Sequence, residues 1–294
     1  MTLPNFLIIG ANKAGTTSLY RYLEQHPEVY ISPVKEPSYF APIMHESHYK
    51  GPHPLTVTRT LDEYKGLFDG VASETAIGES STIYLTNEDA PALIRKTIPE
   101  ARLVAILRNP VDRAFSDYGM HLDWDDENLT FAEAIASELD GLVAGLSWHR
   151  RYVEYGFYGE ALMRHLRFVP REQIRVYLYD DLRNDSASLM RDLFAFVGVS
   201  PSFTPETGTR HNITRRPPRF RTLDRVLRSG PVRATVERAL SGATVGRVKD
   251  YVRRKNRVRP DFPSEVRQRL IDVYRDDVAL VEQIIDRDLS SWLR

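Results

Sequence analysis

Apolar residues follow two rhythms along this chain: short, nearly continuous runs, and longer stretches where they recur every three or four positions. The short runs are Phe6 to Ile9, Val29 to Ile31, Ala76 to Ser81 with its polar end, Arg102 to Leu107, and Ile174 to Tyr179. Runs this short, with almost no polar alternation, predict strands covered on both faces. The longer rhythm appears in Thr17 to Gln25, where Leu19, Tyr20 and Leu23 share a face, and His26-Pro27 ends the helix. It returns in Asn87 to Ile98, with Asn87 as cap and Pro91 in the first turn, and after Asn109-Pro110. Thr130 caps another helix, and Gly156 to Phe168 and Ser186 to Val197 follow, the latter closed by Gly198. Ser264 to Leu289 is the last, with Val266, Leu270, Val273, Leu280, Ile284 and Ile285 expected on the core side. Strands alternating with helices predict an α/β fold, a central parallel sheet in a three-layer arrangement.

Length and charge narrow this picture. A chain of 294 residues suits one domain spanning 1–294, with a basic lid or helical subregion at about 204–260 and a closing helix at 264–289. Forty basic and forty acidic residues cancel, so no global field steers the molecule to nucleic acid, and any anion site must be local. The cancellation hides an asymmetry: Arg210 to Arg259 holds about sixteen Lys and Arg against three acids. No aromatic stacking platform accompanies that cluster, which favours a lid beside an anionic ligand over a nucleic-acid surface. Absence of cysteine excludes disulfides and thiol nucleophiles, and no apolar run approaches the ~20 residues of a membrane span. The expectation is a soluble, unprocessed, cytoplasmic protein.

Candidate chemistry gathers at the predicted strand ends. Phe6 to Leu19 reads as strand, glycine-bounded loop and helix N-terminus, the build of a phosphate cradle. Gly10 and Gly15 keep the spacing of a P-loop, but Thr16 occupies the lysine position and the lysine has moved to Lys13. A charge in mid-loop suits the bridging oxygen of a 5′-phosphate group better than a β,γ-phosphate tail. Lys35-Glu36 follows the second strand, where a surface ion pair is the plain alternative, and Glu79-Ser80-Ser81 ends the third. Arg108, at the end of the fourth strand, and Ser116, two helical turns on, can converge on one anion; the alternative is Arg108 pairing with Asp112. His45, His48 and His53 lack the register of a metal site and suit a loop over the cleft. Asp123 to Glu127 reads as a solvated turn. Asp180-Asp181, after the fifth apolar run, resembles the metal-holding strand end of an NTPase.

Together, the Lys13 loop and the Arg108 strand resemble the two cofactor motifs of the sulfotransferases that use 3′-phosphoadenosine 5′-phosphosulfate (PAPS), in the order found in the heparan sulfate N- and 3-O-sulfotransferase branch. The resemblance implies that Lys13, Ala14, Gly15, Thr16, Thr17 and Ser18 hold the 5′-phosphosulfate, and that Arg108 and Ser116 hold the 3′-phosphate. It sets the adenine and 3′-phosphate lid at Arg210 to Arg216, with both arginines on the nucleotide. Lys35 to Phe40 matches the segment carrying that branch's catalytic glutamate, which makes Glu36 the base, and Gly78 to Ser81 matches a second active-site strand end, with Glu79 positioning the acceptor or serving as an alternative base. Asp288 to Trp292 looks like the family's C-terminal finish. Ser80 departs from the branch, where a lysine commonly follows the second glutamate, and this argues against a heparan-like polyanionic acceptor. The implied reaction needs no metal and takes a glycan, glycolipid or hydroxylated small molecule. Two rivals stand beside it: a magnesium-dependent P-loop kinase using Thr17 and Asp180, and a nucleotide-binding regulator without catalysis.

Overall fold

The computed structural model describes residues 2–45, 57–124, 127–141, 150–207 and 261–294. Strand β1 (Phe6–Gly10) leads through α1 (Thr16–Leu23) to β2 (Val29–Ile31). Short helices α2 (Pro42–His45) and α3 (Leu61–Gly66) precede β3 (Ala76–Ser80), and α4 (Ala90–Thr97) precedes β4 (Arg102–Leu107). Helices α5 (Pro110–Trp124), α6 (Phe131–Leu139) and α7 (Tyr158–Leu166) separate β4 from β5 (Ile174–Leu178). Then come α8 (Tyr179–Asn184), α9 (Ser186–Val197) and α10 (Ser264–Ile285).

All five strands are parallel, in the order β2-β3-β1-β4-β5. Every residue of β1 is buried, because β3 and β4 flank it and helices cover the faces. Each buried Leu or Ile there stabilises the fold by about 1.5–3 kcal/mol. The first three strands build one half of the sheet and β4 starts the other, so the order reverses at the β1–β4 boundary. Beyond the carboxyl ends of strands at such a reversal lies the crevice where open α/β sheets bind ligands. The C-terminal helix closes the far side: the Asp277 carboxylate accepts from Gly159 N at 2.9 Å and Glu160 N at 3.0 Å, capping α7 from another element.

Several boundaries differ from the sequence pattern for identifiable reasons. Between residues 57 and 70 the chain forms α3, started by a reciprocal capping box between Thr60 and Glu63. Asn87 stands three residues before α4, its Oδ1 accepting from Asp89 N and Ala90 N. Tyr179 opens α8 instead of ending β5, with Asp180 and Asp181 in the helix's first turn. The last helix stops at Ile285, where Asp286 turns left-handed at φ 53°. Its buried stripe is Leu270, Ile271, Tyr274, Val278 and Val281, while Val266, Val273, Ile284 and Ile285 are only partly covered.

Candidate active site

The loop after β1 is shaped by two glycines. Gly10 has φ 153°, and a Cβ there would lie 2.7 Å from Leu85 Cβ and 3.0 Å from the Thr82 carbonyl oxygen. Gly15 has φ 104°, and a Cβ there would meet Leu182 Cδ2 at 2.9 Å. Only glycine allows this path without displacing the neighbours. Gly15 is also the N-cap of α1 and offers no side-chain acceptor to its first turn, where Ser18 N donates to the Gly15 carbonyl at 2.9 Å.

Helix α5 holds the loop from below. Asn12 Nδ2 donates to Asp117 Oδ1 at 2.9 Å, and buried Asp117 also accepts from Arg113 at 3.1 Å. Lys13, left-handed at φ 65°, is half-buried with Nζ 3.5 Å from Met120 Sδ. Burial pulls its pKa below the ordinary lysine value, and the Asp117 charge opposes that. Arg108 donates to the Lys13 carbonyl at 3.3 Å, and its guanidinium lies 5.2 Å from the Tyr179 ring centre. Asp112 is held instead by Arg267 at 2.6 Å, so the alternative Arg108–Asp112 pair is not formed. Ser116 is buried on α5 next to Asp117. Arg210, Arg216, His48 and His53 lie outside the described residues, as does nearly all of the basic subregion. Its described flanks are tied to α1 and α5: Tyr22 donates to the Thr207 carbonyl, and Phe262 stacks on Phe115.

The segment after β2 crosses the end of β3. Ser32 N donates to the Gly78 carbonyl and Glu36 N to the Ser80 carbonyl, both at 2.8 Å. Glu36 and Ser38 take left-handed φ values of 60° and 56°, uncommon for residues with side chains. Glu36 Oε2 accepts from Thr82 N at 2.7 Å and Thr82 Oγ1 at 3.1 Å, and Oε1 accepts from Lys35 Nζ at 2.5 Å. Its side chain is 37% exposed, within reach of an incoming molecule. Glu79 is fully buried beneath it, accepting from Tyr64 at 3.2 Å and Ser81 at 2.9 Å. Burial pushes its pKa up to about 7; hydroxyl donors oppose the shift and the Glu36 charge adds to it. Glu79 is thus fully enclosed, with none of its side chain open to an incoming acceptor.

The profile described as the sulfotransferase family matches residues 4–205, which takes in the loop, Glu36, Glu79, Arg108 and Ser116. The chain belongs to the sulfotransferase family. It is 28% identical over 99% of its length to human bifunctional heparan sulfate N-deacetylase/N-sulfotransferase 2 and covers 31% of that protein. The chain thus spans about a third of the length of such curated relatives. The membrane-associated sulfotransferase kil1 of Dictyostelium discoideum is 30% identical over 52% of this chain, with 32% of its own length covered. A sulfotransferase crystal structure from Alicyclobacillus acidocaldarius superposes with a TM-score of 0.78 at 32% identity, covering 100% of both chains.

Family membership does not favour the kinase, and the geometry agrees. Asp181 is engaged by the Leu178 N–H and by Arg287, and Asp180 lies 3.5 Å from Arg183. These carboxylates organise a helix start. Among the described residues no cluster of three or more His, Cys, Asp or Glu could hold a metal, and no helix is long and apolar enough to cross a membrane. The sequence reading missed the supports of this site at Asn12, Asp117, Thr82, Tyr64 and Tyr179. It named Ser81 only as a hydroxyl at a strand end, and Thr82 follows it directly.

Proposed function

We propose that the protein transfers a sulfuryl group from PAPS to a hydroxyl, and secondarily an amine, of a carbohydrate or small-molecule acceptor. The observation that carries this reading is the meeting of the anion loop, Arg108 and the Glu36 segment at the carboxyl ends of neighbouring parallel strands, with Arg108 bonded to the Lys13 carbonyl. The donor set suits a nucleotide with two anionic ends. Lys13 and the backbone of Ala14, Gly15, Thr16, Thr17 and Ser18 would hold the 5′-phosphosulfate, and Arg108 with Ser116 the 3′-phosphate. Arg210 and Arg216 belong to the same proposal as lid contacts.

In the proposed step, the acceptor oxygen bonds to sulfur while the bond from sulfur to the bridging phosphate oxygen breaks. The acceptor proton passes to Glu36, and charge growing on the departing phosphate meets Lys13 and the loop N–H groups. No metal takes part. Ser80, in place of the lysine that the family resemblance leads one to expect, supports an acceptor with little negative charge. The human relative's name refers to heparan sulfate, and a carbohydrate acceptor here rests on that likeness alone.

The test is calorimetric binding of adenosine 3′,5′-bisphosphate in EDTA, followed by transfer of label from PAPS to a panel of glycosides and phenols. Binding without metal is expected, and Arg108→Ala should weaken it by roughly 1.5–3 kcal/mol, the range for charge-assisted hydrogen bonds. Tight magnesium-ATP binding, with none of the bisphosphate, would overturn the reading.

A further inference from the structure

The Glu36 segment is anchored by its backbone. Ser38 N donates to Ser81 Oγ at 3.0 Å, and Phe40 N donates to the Tyr84 hydroxyl at 3.4 Å. Each hydroxyl has one proton: Ser81 donates to Glu79 Oε2 at 2.9 Å, and Tyr84 bonds both to Glu79 and to Ser81. Tyr64 supplies a third hydroxyl to Oε1 at 3.2 Å. All three hydroxyls can donate to an ionised carboxylate. A protonated Glu79 has a proton of its own to place, and a hydroxyl that receives it no longer donates along that line.

We propose that ionised Glu79 is a positioning residue for the Glu36 base, holding Ser38 and Phe40 through Ser81 and Tyr84 so that Glu36 keeps its left-handed backbone and its bond to Thr82. This deepens the sulfotransferase reading and rests on it for the role of Glu36. The groups facing Glu79 are the hydroxyls of Tyr64 on α3, Ser81 and Tyr84 beyond β3, and the Glu36 carboxylate with Lys35 upon it. Tyr39 stacks on Tyr64, and buried His165 on α7 contacts the Tyr84 carbonyl, on the backbone side of the same residue. No cation touches Glu79 among the contacts described, and burial raises its pKa to about 7. An ionised carboxylate kept in such a place is costly to global stability, which separates positioning from mere support.

The experiment compares wild type with Glu79→Gln, which keeps the shape but cannot ionise. Amide exchange, corrected for intrinsic rates, should show protection at Ser38 and Phe40 falling tenfold or more from pH 8 to pH 6 in wild type. In Glu79→Gln it should be low at both pH values, with thermal stability at pH 8 equal or higher. Turnover of labelled PAPS should fall tenfold or more while bisphosphate affinity stays within twofold. Ser81→Ala should reproduce the loss and Ser81→Thr restore it. Protection that ignores pH and the substitution, or parallel loss of stability, affinity and turnover, would overturn the proposal. The exchange arm needs no acceptor: if wild type transfers no label yet the exchange result holds, the sulfotransferase reading fails and the anchoring of the segment stands.

Discussion

At the scale of single residues, the two groups proposed for the chemistry differ in what they should do to binding. In that proposal Lys13 belongs to the loop that would receive the phosphosulfate and Glu36 would face the acceptor, so only Lys13→Ala should weaken bisphosphate affinity. Both should lower turnover, Glu36→Gln by about 10²–10⁴ as expected for loss of a general base, and Lys13→Ala because its contact strengthens as leaving-group charge develops. Single-turnover rates and calorimetry on both variants check this, and normal turnover in Glu36→Gln would remove it as base. Lys13, Glu36 and Arg108 were legible as strand-end residues because each follows an apolar run in a segment too polar or glycine-rich to continue it. The partners of Glu79 were not. Tyr64 reaches Glu79 from α3, Ser38 reaches Ser81 from an irregular segment, and neither position belongs to a periodic pattern that would bring it there.

At the scale of elements, α5 does two jobs that its amphipathic pattern does not advertise. Its buried face carries Arg113 and Asp117, an ion pair with both side chains almost fully enclosed, where a sequence reader expects apolar residues. Removing one partner would leave a buried charge unmatched, at a cost of roughly 3–5 kcal/mol. The pair's free side is what tethers Asn12, so a gentler substitution separates tether from support. Asn12→Ala should leave the ion pair intact and lower stability by roughly 1–3 kcal/mol, because Asp117 Oδ1 loses a donor, while weakening bisphosphate binding because the loop is no longer pinned to α5. Thermal unfolding and calorimetry on this one variant decide the matter; equal affinity would show that the glycines alone shape the loop. The aspartates after β5 teach a related lesson. An apolar run followed by two acids reads equally well as a metal strand or as a helix start, and only Arg287, 106 residues away from Asp181, resolves which.

At the scale of the whole molecule, strand number and parallel pairing followed from the rhythm of apolar runs, but the order β2-β3-β1-β4-β5 did not, because pairing depends on crossovers that leave no local trace. That order is what brings two oppositely behaving buried groups near Tyr84: Glu79 from β3, with a pKa raised to about 7, and His165 from α7, with one lowered by burial to about 4. Their effects on stability have opposite signs. Folded protein binds the Glu79 proton more tightly than the unfolded chain does, so this stability is present below about pH 4.5 and is lost as pH rises to 7. For His165 the unfolded chain binds the proton more tightly, so its stability is present above about pH 6.5 and is lost as pH falls to 4. Each amounts to about 3 kcal/mol at 1.36 kcal/mol per pKa unit. Between pH 4.5 and 6.5 the two slopes oppose, and their joint contribution in wild type should be nearly flat there. Glu79→Gln should uncover the histidine slope, gaining stability with rising pH up to about 6.5. His165→Gln should uncover the carboxylate slope, losing stability as pH rises toward 7. Denaturant titrations of the three proteins at half-unit pH steps would show it. Parallel profiles would mean that neither group carries its proton differently in the folded and unfolded states.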